Sequence, residues 1–408
     1  MKQPSLVMIP FADKQQNIQL IKPSRSASFR RTTNGFTELA NGQLSVVGVD
    51  YPKRKYEGDT VSYKIERDNL NFYKHSSDFT QSLHFKGNSI IESNSSVAPN
   101  GKLEADNLVA SSETLAVKYT EQVVSTYITS KTTFSIYAKA NGGNEINLLQ
   151  ARNSSPYNTW GSASFNLDTG TVINNIAGEA NIEYVTNGWY RVSITGTPPN
   201  TGSQKYRVTL GDGGSINGYP DLGVLLWGGQ VETKVKPLSL IETGSSPTSA
   251  GGDDINMYLI GEYISQYDGA YYFDVRFDNL QDSNSKLTFT DGTENNRIQV
   301  SSQANGTSIQ VLVEKDNDLF THVETVDAYS KNVKVMVYFK GNQTKISING
   351  ETVATDTSST DNFGEIASFI TGNIDFSDNS TKFSGLITDI RAYQMELTDT
   401  EANYFTSI

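Results

Sequence analysis

The chain has 408 residues, a formal charge of −12, an apolar fraction of 36% and no cysteine. At about 100–200 residues per domain, this length allows two to four domains. The absence of Cys excludes disulfides, thiolate nucleophiles and Cys-ligated zinc. Only three histidines are present, His75, His84 and His322, and none lies in a tight metal-ligand spacing with another, so a His-rich metal site or a His-based triad has little material.

The composition favours β-structure over helices. The chain contains 21 Tyr, 18 Phe and 33 Gly, and only 19% of its residues are charged, so long-chain helix formers are scarce. No apolar stretch approaches the roughly 18 residues that a membrane span needs. The first eleven residues do not resemble a signal peptide. We therefore expect a soluble protein without membrane insertion.

The charge is distributed unevenly along the chain. Residues 1–55 carry nine Lys or Arg against three Asp or Glu, whereas the remainder carries a net −18. An acidic body does not suit nucleic-acid phosphates, so we expect no nucleic-acid partner. Residues 1–60 lack a long periodic stretch, and we interpret them as an extended arm or short-strand adaptor that docks on an acidic protein surface. A solvated arm that happens to be basic is the alternative.

A regular β pattern begins near Lys131. Alternating or strand-like apolar residues occur at Phe134 and Ile136, at Phe165 and Leu167 before the turn Asp168–Gly170, at Tyr190, Val192 and Ile194, and in the run Val224–Trp227. Short alternating segments separated by turn signals predict an antiparallel sandwich or barrel. Within it, Val192 and its neighbours Tyr190 and Ile194 are predicted to face the core, and Arg191 the opposite side.

The clearest composition shift is the Gly/Ser/Pro-rich stretch at residues 244–252, which predicts a flexible connector. A second β-series follows and includes Asn349-Gly350, a strong hairpin signal. Thr398 and Glu401 form a capping box that predicts one short terminal helix. The predicted fold is all-β, with an arm or adaptor at residues 1–60, an antiparallel sandwich at 61–243, a linker at 244–254, and a second antiparallel sandwich with a short C-terminal helix at 255–408.

The search for a catalytic constellation finds almost nothing. A glycosidase needs two carboxylates at a set separation, which sequence spacing cannot establish, and the segment Gly211–Gly214 lacks the lysine of a phosphate loop. The segments 291–296 and 316–318 offer oxygen ligands for Ca²⁺ but match no EF-hand spacing, so solvated turns are the default. We expect no enzymatic activity, no catalytic residues, no metal site and no cofactor, with calcium unsupported by a motif.

Exposed aromatic rings are the remaining signal for binding. Tyr157 and Trp160 lie in a polar stretch, where a ring can stack on the apolar face of a sugar. The alternative is that both rings pack under their own loop. Tyr263, Tyr267, Tyr271 and Tyr272 form a second cluster, but Tyr271 belongs to the set predicted to face the core.

Several ordered motifs resemble a module found in bacteriophage head-spike and tail-fibre proteins. The residues that carry the resemblance are Asp50-Tyr51-Pro52, Asn69–Asn71, Ser76–Phe79, Asn100-Gly101, Phe134–Lys139, Phe165–Gly170, Asn187–Ser193, Leu226–Glu232 and Ser239–Gly244. The match covers about residues 45–254 and implies a jelly-roll-like sandwich similar to carbohydrate-binding modules. The segments Lys345–Glu351, Phe383–Tyr393 and Leu397–Ala402 resemble concanavalin-like or laminin-G-like domains, which often bind glycans or proteins.

This resemblance implies a virion fibre on the phage head or tail that is made in the bacterial host cytoplasm. The protein is then a structural component that displays glycan-binding or adhesive sandwiches for host-surface attachment. Its partners are other virion proteins, through residues 1–60, and host-surface glycans, with Tyr157 and Trp160 as candidate contacts. A homotrimer is implied as well. Two alternatives remain open, namely a polysaccharide-degrading tail spike and a purely structural capsid decoration protein.

Overall fold

A computed structural model describes most of the chain. The described residues are 4–9, 19–20, 28–111, 114–125, 128–199, 202–217, 222–258, 260–261, 264, 268–278, 285–303, 307–316, 318–327, 331–340, 343–357, 366–372 and 381–407. Within them the fold is all-β with one short C-terminal helix, which confirms the predicted fold class.

The first half of the strands run in chain order as follows: β1 (Leu6–Ile9), β2 (Gln19–Leu20), β3 (Ser28–Arg30), β4 (Gly35–Glu38), β5 (Leu44–Val47), β6 (Lys53–Glu57), β7 (Thr60–Ile65), β8 (Asn69–Asn71), β9 (His84–Gly87), β10 (Ser89–Val97), β11 (Leu103–Ala110), β12 (Tyr119–Val124), β13 (Thr132–Asn141), β14 (Glu145–Arg152), β15 (Thr159–Asn166) and β16 (Thr171–Ala177). The remaining elements are β17 (Glu179–Thr186), β18 (Trp189–Gly196), β19 (Gln204–Leu210), β20 (Gly223–Glu232), β21 (Thr248–Ala250), β22 (Asp254–Tyr258), β23 (Ala270–Phe277), β24 (Lys286–Thr290), β25 (Asn296–Ser302), β26 (Ser308–Lys315), β27 (Asp318–Thr325), β28 (Val333–Lys340), β29 (Gln343–Ile348), β30 (Glu351–Asp356), β31 (Ser368–Ile370), β32 (Gly385–Tyr393) and α1 (Asp399–Thr406).

The chain forms two compact units, and each unit is built from segments that are separated in the sequence. The C-terminal unit comprises Met1–Asn34, Val47–Arg67 and Gly251–Ile408, and the middle unit comprises Gly35–Val46 and Asp68–Ala250. Each unit has its own sheets and its own hydrophobic core. The backbone therefore crosses between units four times, rather than completing one domain before the next begins.

Two antiparallel sheets build the C-terminal unit. One has the strand order β2-β1-β32-β23-β28-β29-β30, with β7 pairing β32 and β6 pairing β7, and the other has the order β27-β26-β25-β24-β31-β22-β3. Alternate residues point inward, as the two-residue period of a strand requires. The rings of Phe273 on β23 and Phe289 on β24 lie 5.5 Å apart between centroids and join the two sheets through one core.

The N-terminal segment pairs with strands of the C-terminal unit. Strand β1 pairs with β32, and β3 pairs with β22. Leu6 and Met8 are fully buried in the core of this unit. The described part of residues 1–60 therefore does not follow the predicted boundary of a separate arm: β4 and β5 lie in the middle unit and the other strands lie in the C-terminal unit. For β1 and β3 the physical reason is that their backbone groups pair with β32 and β22, a long-range pairing that local periodicity does not report.

A buried ion cluster joins the same segments to the start of the second sandwich. It consists of Arg31, Lys53, Lys64, Glu66 and Asp253. The Lys53 ammonium lies 2.5 Å from a Glu66 oxygen and 2.8 Å from an Asp253 oxygen, and the Lys64 ammonium lies 2.9 Å from the other Glu66 oxygen. The Arg31 guanidinium lies 3.4 Å from Asp253. Asp253 falls in the predicted linker 244–254, yet it is 1% exposed.

The predicted linker also contains a strand. Strand β21 pairs with β8 in the middle unit, with Ser249 opposite Leu70. The Gly/Ser/Pro composition of residues 244–252 predicted a flexible connector, and the structure instead uses part of this stretch for backbone pairing. Composition reports how many conformations a segment can adopt, whereas a neighbouring strand with free backbone groups selects one of them.

Two six-stranded antiparallel sheets build the middle unit, in the orders β10-β11-β20-β13-β18-β17 and β16-β15-β14-β19-β12-β9. Val192 and Ile194 are fully buried in its core, and Tyr190 packs partly against it, as predicted. The predicted face of Arg191 is also correct. Arg191 does face away from Val192, but it is 7% exposed and donates to the Leu238 carbonyl at 2.6 Å, because the chain covers that face.

Two local predictions at the C-terminal end are confirmed. Ile348 and Glu351 pair across the turn Asn349-Gly350, and both turn residues have positive φ, which glycine adopts without strain. The Thr398 hydroxyl accepts from the Glu401 backbone N–H at 3.2 Å, and the Glu401 carboxylate accepts from the Thr398 backbone N–H at 2.9 Å. Among the described residues, no helix is long and apolar enough to cross a membrane.

Candidate functional site: a polar cleft in the middle unit

The middle unit contains a cleft with a volume of about 500 Å³, which we call the polar cleft. This volume lies in the range of about 300–1,000 Å³ found for small-molecule sites. The cleft is formed by the loop after β8, by β10 and β11, and by the loop after β20. Its lining residues are His75, Ser76, Ser77, Asp78, Thr80, Ser93, Asn94, Glu104, Asp106, Glu242 and Thr243.

A fully buried asparagine, Asn71, helps position the two loops of the cleft. Its amide donates to the carbonyls of Gly229 and Ile241, and its oxygen accepts from the backbone N–H groups of Tyr73 and Val231. All four of its hydrogen-bonding positions are thus used. This arrangement holds the chain after β20 against the chain after β8.

Direct contacts between the two loops complete the frame. The backbone N–H of Thr243 donates to the Ser76 hydroxyl at 2.9 Å, and the Thr243 hydroxyl donates to the Tyr73 carbonyl at 2.5 Å. Ser76 is fully buried. Buried, satisfied hydrogen bonds of this kind keep a site rigid before a ligand arrives.

Asp78 and Asp106 have opposite pKa shifts within the same cleft. Burial raises the pKa of Asp106, an effect that the backbone N–H groups of Asn94 and Phe79 oppose and the nearby Asp78 carboxylate adds to. Burial also acts to raise the pKa of Asp78, but hydrogen bonds from Thr80 and Gln81 hold it below its usual value. Both carboxylates are thus largely occupied by the loops they support.

Glu104 and Glu242 lie close enough to influence each other. Glu104 accepts from the indole N–H of Trp227 at 3.0 Å and from the Asn100 amide. Burial raises the pKa of Glu242, the Glu104 carboxylate raises it further, and Lys102 opposes the shift. The Glu242 side chain makes no hydrogen bond or ion pair with any described residue. Its carboxylate is therefore available to a ligand.

Other polar groups of the cleft are also unengaged within the described part of the chain. The Ser77 hydroxyl oxygen is buried and has no hydrogen-bond partner there. His75 and Asn94 both have positive φ, 49° and 50°, a conformation that costs energy for residues other than glycine. Strained backbone is concentrated at functional sites in general, which is consistent with a binding role for this cleft.

The cleft can recognise a ligand through hydroxyl, amide, imidazole and carboxylate groups. Such groups match the many donors and acceptors of a polyhydroxylated molecule. Among the described residues, no group of three or more His, Asp or Glu side chains is arranged to hold a metal ion. No Phe, Tyr or Trp ring is among the described residues that line the cleft, which distinguishes it from the ring-stacking site that the sequence suggested.

The two predicted glycan contacts differ in exposure. Tyr157 is 66% exposed, and the Lys205 ammonium lies 5.1 Å from the centroid of its ring. Trp160 is only 8% exposed, and a Cβ atom at Gly196 would lie 2.9 Å from Trp160 Cδ1. The premise that both rings are exposed therefore holds for Tyr157 and not for Trp160. The polar surroundings of residue 160 in the sequence did not reveal the strand that packs over it.

The remaining candidates that lie among the described residues do not assemble into a site. Tyr271 is buried in the core of the C-terminal unit, and Tyr272 is buried with the residues that pack around α1. Tyr263 and Tyr267 lie outside the described residues. In the turn 291–296, the Asp291 carboxylate accepts from Thr293 at 2.7 Å and from the Asn296 amide at 3.0 Å, as expected of a self-contained turn. Residue 317 of the segment 316–318 lies outside the described residues.

The sequence analysis did not identify the polar cleft. Its walls nevertheless come from two of the motifs that carry the resemblance, Ser76–Phe79 and Ser239–Gly244. These motifs are about 160 residues apart, and no spacing rule brings them together. A usable signal would have been that both motifs combine hydroxyl and carboxylate residues next to a turn, a composition more typical of binding loops than of core strands.

Comparison with known proteins identifies part of the C-terminal unit. Residues 250–403 match the family described as Concanavalin A-like lectin/glucanases superfamily. Over these residues the chain is similar to concanavalin-like lectin domains. No curated protein matches the chain.

Three solved structures have limited similarity to the chain. The CBM40 module of Ruminococcus gnavus IT-sialidase, bound to α2,3-sialyllactose, is 16% identical, with 35% of this chain and 84% of that chain covered and a TM-score of 0.29. The SAP-like pentraxin of Limulus polyphemus is 10% identical, with 35% of this chain and 70% of that chain covered and a TM-score of 0.29. Domains LG4-5 of the mouse laminin α1 chain are 12% identical, with 71% of this chain and 89% of that chain covered and a TM-score of 0.28. The location on a virion is not addressed by these comparisons and stays a prediction.

Proposed function

We propose that the protein is a non-enzymatic fibre subunit of a bacteriophage particle that attaches to glycans on the host surface. The observation that carries glycan attachment is the lectin-like domain at residues 250–403. Fold alone does not establish function, so the proposal also needs a site with suitable chemistry. The polar cleft, which lies in the middle unit and not in this domain, is a separate candidate site, because the Ser77 hydroxyl and the Glu242 carboxylate have no described partner and suit the hydroxyl groups of a sugar.

The proposed place on the particle rests on the motif resemblance of residues 45–254. The basic segment 1–60 is the proposed attachment to other virion proteins, and a homotrimer is the proposed assembly. Several copies on one fibre would raise the avidity of a weak site by about 10²–10⁴. A weak single site is therefore compatible with firm attachment to a cell.

Two measurements test the proposal. Immunogold electron microscopy of purified particles should locate the protein on a head or tail fibre, and particles without label would contradict the virion assignment. Purified protein should bind a glycan array and stain host cells, with soluble host polysaccharide competing. If neither the array nor the cells retain the protein, the attachment function is wrong.

A second candidate, a polysaccharide-cleaving spike, is favoured by one observation. Asp78 and Asp106 line the same cleft and have pKa values shifted in opposite directions, a pattern that acid–base pairs of glycosidases also have. We favour binding because both carboxylates already accept hydrogen bonds that hold the cleft loops. Incubation with host polysaccharide should therefore release no reducing ends. Release that Asp106→Asn abolishes, without loss of glycan binding, would establish the enzyme instead.

A further inference from the structure

Resting on the proposed glycan attachment, we infer that the polar cleft selects amine-bearing and neutral saccharides over acidic ones, and that Glu242 sets this preference. The charge of the cleft is the first reason. Four carboxylates line it, those of Asp78, Glu104, Asp106 and Glu242, and no Lys or Arg is among its described lining residues. A saccharide carboxylate placed here would meet more like charge than opposite charge.

The nearest basic side chains do not reverse this charge. Lys86 interacts electrostatically with Asp78 and Asp106, but its ammonium donates to the carbonyls of Thr80 and Gln81, both at 2.9 Å. Lys102 interacts electrostatically with Glu242. Two lysines beside four carboxylates leave the cleft negative.

Glu242 is the carboxylate that is open to a ligand. The other three accept hydrogen bonds from their own loops or from Trp227, as described above. Glu242 makes no hydrogen bond or ion pair with a described residue, and the residue is exposed. An ammonium group of a deacetylated amino sugar would form a charge-assisted hydrogen bond with it, which is roughly twice as strong as a neutral one.

The buried hydroxyl of Ser77 gives an independent reason for a hydroxyl-rich ligand. Its oxygen lies at the cleft wall without a partner in the described structure. Buried polar atoms are nearly always hydrogen-bonded in native proteins, so the Ser77 hydroxyl can take up a hydrogen bond with a ligand when its side chain rotates into the cleft. A sugar hydroxyl can donate or accept a hydrogen bond, so a saccharide is a suitable partner for Ser77.

Isothermal titration of the full chain with three probes tests the inference. The probes are a chitosan oligosaccharide, a cello-oligosaccharide and sialyllactose, each at low and at physiological ionic strength. We expect the chitosan oligosaccharide to bind most tightly and sialyllactose least, with the difference decreasing as salt screens the charges. Glu242→Gln should weaken chitosan binding about tenfold, leave the cello-oligosaccharide unchanged and leave the melting temperature unchanged.

Glu179→Gln is the matched control. Glu179 is an exposed carboxylate of the same unit, with 70% of its side chain accessible, and it does not line the cleft. The Glu179→Gln variant should bind all three probes with the affinities of the wild type. Tightest binding of sialyllactose, or an amine preference that survives Glu242→Gln, overturns the inference while glycan attachment stands. Binding of no probe overturns both the inference and glycan recognition by this cleft.

Discussion

Replacing Lys53 with methionine should destabilise the C-terminal unit by about 3–5 kcal/mol, the cost of breaking a buried ion pair from one side. The Lys53 ammonium lies between two carboxylates, 2.5 Å from Glu66 and 2.8 Å from Asp253, and all three residues are at most 5% exposed. Methionine retains the length of the side chain and removes its charge. The two carboxylates then remain buried with one cation fewer.

This free energy predicts a clear change in thermal unfolding. A domain of about 150–250 residues loses about 2–4 °C of melting temperature per kcal/mol, so the transition of this unit should fall by about 6–20 °C. Differential scanning calorimetry measures the shift. The control is Lys331→Met, which removes the charge of an exposed lysine in the same unit and should change the transition by less than about 2 °C.

The destabilisation caused by Lys53→Met should also depend on pH. Burial acts to raise the pKa of Glu66, but the Lys53 and Lys64 ammonium groups hold it well below its usual range. A carboxylate with a lowered folded-state pKa stabilises the protein above its unfolded-state pKa and ceases to do so as the pH falls through the folded value. The difference in melting temperature between the wild type and Lys53→Met should therefore become smaller in strong acid. A loss no larger than that of Lys331→Met, or a gap that does not change with pH, would refute the reasoning.

Three further predictions concern single side chains. Arg191→Ala should destabilise the middle unit by about 2–4 kcal/mol, because the buried Arg191 guanidinium donates a hydrogen bond to the Leu238 carbonyl. A free energy of unfolding from thermal denaturation that changes by less than about 0.5 kcal/mol contradicts this prediction. Burial raises the pKa of both Asp274 and Asp389, which pair directly across β23 and β32, so their contribution to stability is present in acid and lost as the pH rises through the folded values. Asp274→Asn should accordingly raise the melting temperature at pH 8 and have little effect at pH 4, and an equal shift at both pH values would disprove the pairing. Trp160→Ala should lower the free energy of unfolding by about 3–5 kcal/mol because it leaves a cavity, whereas Tyr157→Ala should leave the melting temperature unchanged. Equal melting temperatures of the two variants would contradict the different burial of the two rings.

Some features of this fold could be predicted from local sequence because they depend on neighbours in the chain. The alternation around Val192 predicts which residues share a face of the strand, since successive side chains point to opposite sides. The turn at Asn349-Gly350 and the cap at Thr398 follow from the conformations and hydrogen bonds that these residues form within a few positions. No long-range contact is needed for any of them, so the structure agrees with the prediction at each.

Other features depend on what the rest of the chain places against a given face. Alternation puts Arg191 opposite Val192, but only the folded chain shows that the Leu238 carbonyl covers it. The same is true of Trp160, whose polar surroundings in the sequence did not reveal its burial beside Gly196. A residue's face is a local property, whereas its burial depends on partners far along the chain.

The sequence by itself determined that this protein is a β-sandwich protein, because residue period, turn chemistry and composition act over a few residues. Only the tertiary structure decided where its polar groups meet. The polar cleft brings Ser77 and Glu242 together, and the buried ion cluster brings Lys53 to Asp253, across separations of more than 160 residues in each case. Attraction between such groups leaves no periodic pattern in the sequence, since it depends on distance in space and on the low dielectric of a buried site, both of which exist only after the chain has folded.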